Sequence, residues 1–272
     1  MINYLTIDVE DYFQVSAFDG LIRIEDWDSC ELRVERNTHN ILKILAEKGI
    51  RATFFIVGWV AERLPALIRE IDKAGHEIGC HSYLHRRIYT LTPDQFQQDT
   101  RKAKDILENI IGKKVRGYRA PSYSITKQSL WALDILEKLG FEYDSSIFPI
   151  RHDFYGIPDS PRFPYKLVDH ELLEYPISTA VFGGVKLPVA GGGYFRLFPY
   201  WFTKMALQRI NEQEEKPFMF YLHPWEIDPG QPRMQKASRL SRFRHYNNLD
   251  KTEERLHRLL GDFAFGPITG CT

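Results

Sequence analysis

The sequence predicts an α/β protein built around a parallel sheet or a (β/α) barrel. Up to about residue 150, short apolar segments alternate with longer stretches whose apolar residues recur at helical spacing. This alternation is typical of parallel strands joined by crossover helices. Polar residues cluster directly after the predicted strands, where such folds build their active sites. With 272 residues, of which 43% are hydrophobic, the chain can enclose one large core, and we predict a single domain over residues 1–272.

Each predicted element rests on a local pattern. Compact runs rich in β-branched and aromatic residues predict strands at 4–7, 52–57, 77–80, 115–118, 141–143 and 218–222. Glycines close several of the helices that follow, at Gly49, Gly75, Gly112 and Gly140. We predict helices that begin at Asn37-Thr38, near Pro65, at Thr92-Pro93 and around Leu130, with two more at 200–213 and 253–260.

Residues from about 151 to 199 interrupt this alternation. They are rich in proline, glycine and aromatic residues and show no helical pattern, so we predict an irregular, partly β insertion beside the site. The run Gly191-Gly192-Gly193 lacks the flanking strand and helix of a phosphate-binding loop, which favours a backbone-tight turn. The basic stretch 233–245 has little apolar patterning. A solvated loop is the simpler interpretation, and binding of substrate phosphate or of a polymer is the alternative.

Composition excludes several classes of function. Lys+Arg and Asp+Glu are equal at 36 each, so no overall field favours nucleic acid or an anionic membrane. Cys30, Cys80 and Cys271 are too widely spaced for a disulfide framework or a cysteine-rich zinc site. No apolar run approaches the length of a membrane span. The N-terminus has no basic segment before its first acid at Asp8, which predicts a cytoplasmic protein.

Candidate metal ligands follow the first and third predicted strands. His81 and His85 are four residues apart and can reach one ion if the backbone turns helically after Cys80. Three acids, Asp8, Glu10 and Asp11, end the first strand, and burying them requires a partner or a cation. In extended geometry Asp8 and Glu10 share a face and Asp11 points elsewhere, although a turn could reverse this.

The whole ordered set of motifs resembles the polysaccharide deacetylase family, the NodB-homology or carbohydrate esterase 4 group. Residues 81–85 match its H-[ST]-x-x-H motif, and the other clusters follow in the family's order at Asp8, Arg119, Asp144 and His223. The segments 8–13, 119–124 and 223–226 are more narrowly similar to exosortase-associated deacetylases found with bacterial exopolysaccharide loci. The resemblance implies a distorted (β/α) barrel and one divalent metal ion held by two histidines and a carboxylate, with Zn²⁺ as first choice.

The same resemblance implies a role for each site residue. Asp8 would be the general base, oriented by Arg119, and His223 the general acid, whose imidazolium Asp144 would hold. His81 and His85 would bind the metal. Most family members have a second acid directly after the first, which is absent here. Because Glu10 shares a face with Asp8, and because some relatives read Asp-x-Asp, Glu10 is the favoured carboxylate ligand and Asp11 the alternative.

The oxyanion and substrate positions depart from the family pattern. The family's Arg-x-Pro-Tyr-Gly is here Arg-Ala-Pro-Ser-Tyr, so the oxyanion-stabilising amide would belong to Ser122, with Tyr123 beside it. A backbone amide does not require a particular side chain. Trp225 is either a sugar-stacking platform or an ordinary core or rim aromatic.

The expected activity is removal of N-acetyl groups from N-acetylhexosamine units of a glycan, in exopolysaccharide biosynthesis. The chemistry suits the residues, because a metal polarises the acetyl carbonyl, a carboxylate takes a proton from water and a histidine protonates the leaving amine. An amidase acting on a small cyclic amide or formamide would use nearly the same residues. The non-enzyme alternative is a catalytically silent carbohydrate-binding protein. We expect no nucleic-acid partner, and the sequence does not decide the oligomeric state.

Overall fold

The computed structural model describes residues 1–269, and its elements alternate along the chain as predicted. The strands are Ile2–Val9 (β1), Thr53–Ile56 (β2), Glu77–Cys80 (β3), Gly117–Tyr118 (β4), Tyr143–Asp144 (β5), Tyr165–Lys166 (β6), Leu173–Glu174 (β7), Thr179–Phe182 (β8), Val185–Pro188 (β9), Met219–Leu222 (β10) and Ala264–Gly266 (β11). The α-helices are Val34–Glu47 (α1), Gly58–Arg63 (α2), Pro65–Lys73 (α3), Pro93–Ile111 (α4), Trp131–Lys138 (α5), Gly192–Leu197 (α6), Tyr200–Gln213 (α7), Arg239–Tyr246 (α8) and Leu249–Asp262 (α9).

The strands form one mostly parallel sheet in the order β10-β1-β2-β3-β4-β5-β7-β6, and β11 pairs with the start of β1. The pairs from β10 to β7 are all parallel, so their carboxyl ends share one edge. Strands β8 and β9 form a separate antiparallel hairpin. The predicted α/β fold class is confirmed, and the shared edge brings all five polar clusters to one end of the sheet.

The insertion packs along β10, at the edge of the curled sheet. The amide of Met219 donates to Ser178 Oγ at 2.8 Å, and the amide of Tyr221 donates to the Ala190 carbonyl at 3.1 Å. Gly191 has φ +126°, and a Cβ there would lie 2.0 Å from the Tyr221 carbonyl oxygen. The glycine run, for which we predicted a backbone-tight turn, therefore approaches the β10 backbone closely at Tyr221, two residues before His223.

The insertion also contains structure that the sequence pattern does not show. Residues 192–197 form the short helix α6, where we predicted no helix, while the β8–β9 hairpin agrees with the partly β expectation. The basic stretch is not simply a loop either. Its second half is helix α8, which begins where Ser238 Oγ accepts the amide of Ser241.

Helix α1 begins three residues before the predicted start at Asn37. The reason is a long-range contact, because the Asp11 carboxylate accepts the amides of Arg33 and Val34 at 2.7 and 2.8 Å. A carboxylate at a helix N-terminus satisfies amides that have no partner within the helix. Helix α2, which follows β2 directly, was not predicted.

Cys30 and Cys80 are free thiols, while Cys271 lies outside the described residues. Within residues 1–269, no helix combines the length and the apolar character needed to cross a bilayer.

Candidate active site

Three of the five polar clusters line one cavity of about 470 Å³ at the carboxyl edge of the sheet. Asp8 and Glu10 from the end of β1 face His81 and His85 from the loop after β3, and His223 follows β10. Ser122, Tyr123 and Trp225 also line this cavity. Asp11, Arg119 and Asp144 are buried behind these residues.

Glu10, His81 and His85 form a buried group whose potential ligand atoms all lie within 4.8 Å of one another. Glu10 Oε2 is 2.5 Å from His85 Nε2. His81 Nδ1 lies 2.7 Å from the Arg119 carbonyl oxygen and donates to it, which leaves Nε2 facing the group. Burial lowers the pKa of His81 to about 4, so its imidazole is neutral near pH 7.

The atoms of this group fit a divalent metal. Glu10 Oε2 is buried and its close neighbour is His85 Nε2, at 2.5 Å, so one cation between them would be held by both atoms. Burial raises the pKa of Glu10, but His85 and His223 lower it more, so the carboxylate is charged. Two imidazoles and one carboxylate are a common donor set for zinc and related transition metals.

The sequence argument relied on a helical turn after Cys80 to bring His81 and His85 together. The structure instead places the two histidines on a tight loop. Ser82 and His85 both have left-handed backbones, with φ 61° and 51°. Ser82 Oγ accepts the His85 amide at 2.9 Å, and Asp99 on α4 accepts the amide of Tyr83 at 2.7 Å. The loop therefore brings the two rings to a centroid separation of 5.0 Å without any helical turn.

The structure distinguishes the two candidate carboxylate ligands of the metal, Glu10 and Asp11. Glu10 faces the histidines, as strand alternation from Asp8 predicts, whereas Asp11 turns away from them. Asp11 accepts the amides of Tyr12, Arg33 and Val34 and thereby holds the start of α1. The interpretation of Asp11 as a metal ligand is therefore wrong for this structure, since both of its oxygens are engaged with backbone amides.

Asp8 is held by Arg119. Arg119 Nη1 donates to Asp8 Oδ1 at 2.6 Å, and its Nη2 donates to Ser145 Oγ at 2.8 Å. Both side chains of the pair are almost completely buried. The second oxygen of Asp8, Oδ2, lies 3.9 Å from His223 Nε2. This places one carboxylate oxygen on a fixed cation and leaves the other facing the cavity.

His223 is oriented by Glu226, which the sequence argument did not single out. His223 Nδ1 donates to Glu226 Oε1 at 2.7 Å, and Arg196 Nε donates to the other carboxylate oxygen at 2.6 Å. His223 Nε2 lies 3.5 Å from Glu10 Oε1. Burial lowers the pKa of His223, but Glu10 and Glu226 outweigh it and raise the pKa to about 9. The protonated imidazole thus presents Nε2 to the cavity.

Asp144 does not hold His223, so that assignment is corrected. Its Oδ1 accepts Ser146 Oγ at 2.5 Å, and Ser146 Oγ in turn accepts the Ala120 amide at 2.7 Å. Burial and the neighbouring Asp144 raise the pKa of Glu174, which keeps this acid pair from being doubly charged. Asp144 therefore supports the loop that carries Arg119. The sequence did contain a signal for Glu226 as the partner of His223. Glu226 lies three residues after His223, which is the spacing of a capping box.

The three predicted oxyanion and substrate residues, Ser122, Tyr123 and Trp225, all line the cavity but are held differently. Ser122 and Tyr123 have left-handed backbones, with φ 51° and 52°, and the Ser122 hydroxyl bonds to that of Ser16 at 2.8 Å. Trp225 is only 5% exposed, and its indole N–H donates to Glu10 Oε1 at 3.0 Å. It also stacks with His223 and His245, at 5.1 and 4.2 Å between centroids. These contacts favour a core role for Trp225 over a sugar platform.

Two parts of the chain match family models of known proteins. Residues 25–143 match the family model described as polysaccharide deacetylase, and residues 145–272 match a domain of unknown function, DUF3473. A peptidoglycan deacetylase-like protein of Gibberella zeae is 34% identical over 132 residues, which are 48% of this chain and 38% of that protein. Residues 25–143, which contain His81, His85 and Arg119, are thus similar to polysaccharide deacetylases.

Two further relatives extend this family comparison. The peptidoglycan-N-acetylglucosamine deacetylase of Bacillus cereus is 32% identical over 98 residues, 36% of each chain. A crystal structure from Mycobacterium smegmatis, titled a putative polysaccharide deacetylase, aligns over 98% of this chain and 87% of that one. Its TM-score is 0.62 at 20% identity, which shows a shared fold. The chain spans little more than a third of the length of the two curated relatives.

Proposed function

We propose that this protein is a metal-dependent hydrolase that removes N-acetyl groups from N-acetylhexosamine units of a polysaccharide or its precursor. One observation carries the proposal. The buried Glu10–His81–His85 group lies beside Asp8 and His223, which are the acid and base that amide hydrolysis needs. The family match over residues 25–143 supports the same reaction class.

The polar residues of the site have separate roles in the proposed reaction. When bound, a divalent metal, with zinc as first choice, would supply a Lewis acid at Glu10, His81 and His85. Asp8 accepts a proton from the attacking water through Oδ2, because Oδ1 is occupied by Arg119. His223 donates its Nε2 proton to the departing amine, and Glu226 keeps the imidazole oriented. Ser122 would offer its backbone amide to the developing oxyanion.

The proposal also includes the biological role of the reaction, its cellular location and the domain organisation of the chain. Similarity of the segments 8–13, 119–124 and 223–226 to exosortase-associated deacetylases motivates a role in bacterial exopolysaccharide biosynthesis. A cytoplasmic location stays a prediction. So does the organisation of residues 1–272 as one domain.

The test is release of free amine from defined substrates by metal-reconstituted protein. We expect equal amounts of amine and acetate from N-acetylated hexosamine oligosaccharides, and none from the His81→Ala variant. Cyclic amides and formamide are run in parallel. Hydrolysis of these small amides with none of the oligosaccharides would assign the protein to the amidases. Bound metal without hydrolysis of any substrate would favour a silent carbohydrate-binding protein.

A further inference from the structure

A basic segment at the mouth of the cavity plays no part in the chemistry above. Between Asp228 and Asp250 the chain contains no acid, although it carries five cationic side chains, those of Arg233, Lys236, Arg239, Arg242 and Arg244. Across residues 1–269, none of the five is within ion-pair distance of a carboxylate. Because the whole chain is electrically balanced, this segment is a local excess of positive charge.

Helix α8 places part of this excess positive charge in the cavity and part in a groove at the surface. Arg244 and His245 line the cavity that contains Asp8 and Glu10. Arg239 and Arg242 line a neighbouring groove of about 330 Å³, together with Arg233. Arg239 and Arg242, three positions apart, share one face of α8, whereas Arg244, two positions after Arg242, lies on another. These cationic side chains, which we call the basic surface, therefore line both the cavity and the groove.

The end of α8 is fixed to the catalytic machinery. The His245 ring stacks on Trp225 at 4.2 Å, and His245 Nε2 bonds to Gln231 Oε1 at 2.7 Å. The His245 carbonyl accepts Arg196 Nη1 at 2.7 Å, and Arg196 also holds Glu226. The backbone of Arg244, the preceding residue, is therefore anchored relative to His223.

Arg244 differs from the other arginines that line the cavity. Arg87 lies 3.2 Å from Asp19, and Arg196 lies 2.6 Å from Glu226. Arg244 has no carboxylate neighbour in the part of the chain that the structure describes. A guanidinium binds phosphate or carboxylate through two parallel hydrogen bonds. Because no carboxylate of the described chain pairs with Arg244, its guanidinium can bind an anion of this kind.

We propose that Arg244, with the basic surface behind it, binds an anionic group of the glycan substrate close to the N-acetyl group that is hydrolysed. This inference rests on the proposed function and narrows its substrate class to glycans that carry phosphate or carboxylate. A phosphate-linked glycan precursor and a polymer containing uronic acids both supply such a group.

An anionic lipid surface is the competing occupant of this surface. Leu240 and Phe243 on α8 are 57% and 54% exposed and stand beside arginines, a pairing that suits membrane surfaces. Arg244 favours the substrate, because it lines the same cavity as Asp8 and His223, which a flat bilayer does not enter.

The kinetic test compares Arg244→Gln with Lys43→Gln, which removes one exposed charge from α1 outside the cavity. Three N-acetylated oligosaccharides of equal length serve as substrates: a neutral chitooligosaccharide, the same oligomer bearing a phosphomonoester, and one alternating N-acetylglucosamine with glucuronic acid. In Arg244→Gln we expect KM to rise about tenfold for at least one anionic substrate, with kcat and the neutral substrate little changed. The substrate affected identifies the anion. Lys43→Gln should match wild type throughout.

A binding measurement separates this inference from the proposed function. The two anionic oligosaccharides are titrated calorimetrically into wild type and Arg244→Gln at low and high salt. Salt-sensitive binding that Arg244→Gln loses supports the anion site even if wild type hydrolyses nothing, in which case only the deacetylase proposal fails. Absence of binding, or a KM change equal for neutral and anionic substrates, overturns the inference. Arginine-dependent adsorption to phosphatidylglycerol vesicles with unchanged KM also overturns it and assigns α8 to a membrane surface.

Discussion

Asp8→Asn is expected to lower the rate of N-acetyl hydrolysis by a factor of about 10²–10⁴ while the protein keeps its metal. The amide preserves the shape of the side chain but cannot accept a proton from water. Asp8 contacts Arg119 and lies outside the Glu10–His81–His85 group, so metal retention should not depend on its charge. Initial rates on an N-acetylated oligosaccharide, at equal metal occupancy, check the prediction.

A matched control addresses the buried cation that Asp8→Asn leaves behind. Removing one partner of a buried ion pair destabilises a protein by about 3–5 kcal/mol, and Arg119 would lose its carboxylate. Asp228→Asn causes the same kind of loss for Arg33, whose Nε donates to Asp228 at 2.7 Å away from the cavity. We expect Asp228→Asn to lower thermal stability but to retain turnover. Equal rate losses in both variants would show that Asp8 acts through stability and not as the base.

His223→Ala is expected to reduce amide hydrolysis by a similar factor of about 10²–10⁴, but to recover on an activated aryl acetate ester. The amine leaving group of the amide needs a proton, whereas the aryl oxide does not. Asp8→Asn removes the base that both substrates require, so the ester should rescue it very little. Both variants are assayed on both substrates at matched metal occupancy.

Equal loss by His223→Ala on the amide and the ester would contradict the acid role. In that case His223 would position the substrate or maintain the site, because a purely structural contribution does not depend on the leaving group. The geometry behind the expectation is the Glu226 contact at Nδ1, which leaves Nε2 facing Asp8 and Glu10.

The elements that sequence patterns predict best are those with strong local periodicity. Helix α7 has the predicted bounds, and β3 ends at Cys80 as expected, because apolar spacing and glycine punctuation specify both locally. The start of α1 was missed because its cap, Asp11, lies more than twenty residues upstream. Contacts of that kind are invisible to any local pattern.

In the candidate site, too, the residues specified by local patterns were predicted and those that depend on tertiary contacts were not. Glu10 follows from strand alternation, and the meeting of Asp8, His81 and His223 follows from strand ends sharing one edge of a parallel sheet. Glu226 was not predicted as the partner of His223. The family resemblance pointed to Asp144, although the capping-box spacing of Glu226 was the better local signal. The loop geometry of His85, with its positive φ, could not be anticipated from residue spacing.

The metal-to-protein ratio of four purified proteins tests the central claim most directly. Wild type, Glu10→Gln, His81→Ala and Asp11→Asn are loaded with zinc, desalted together and measured by elemental analysis. We predict about one ion per chain in wild type and Asp11→Asn, and a large loss in Glu10→Gln and His81→Ala, because only the latter pair removes ligands of the buried group. Full retention by Glu10→Gln together with loss by Asp11→Asn would contradict the ligand set, and equal metal content in all four proteins would contradict the site itself.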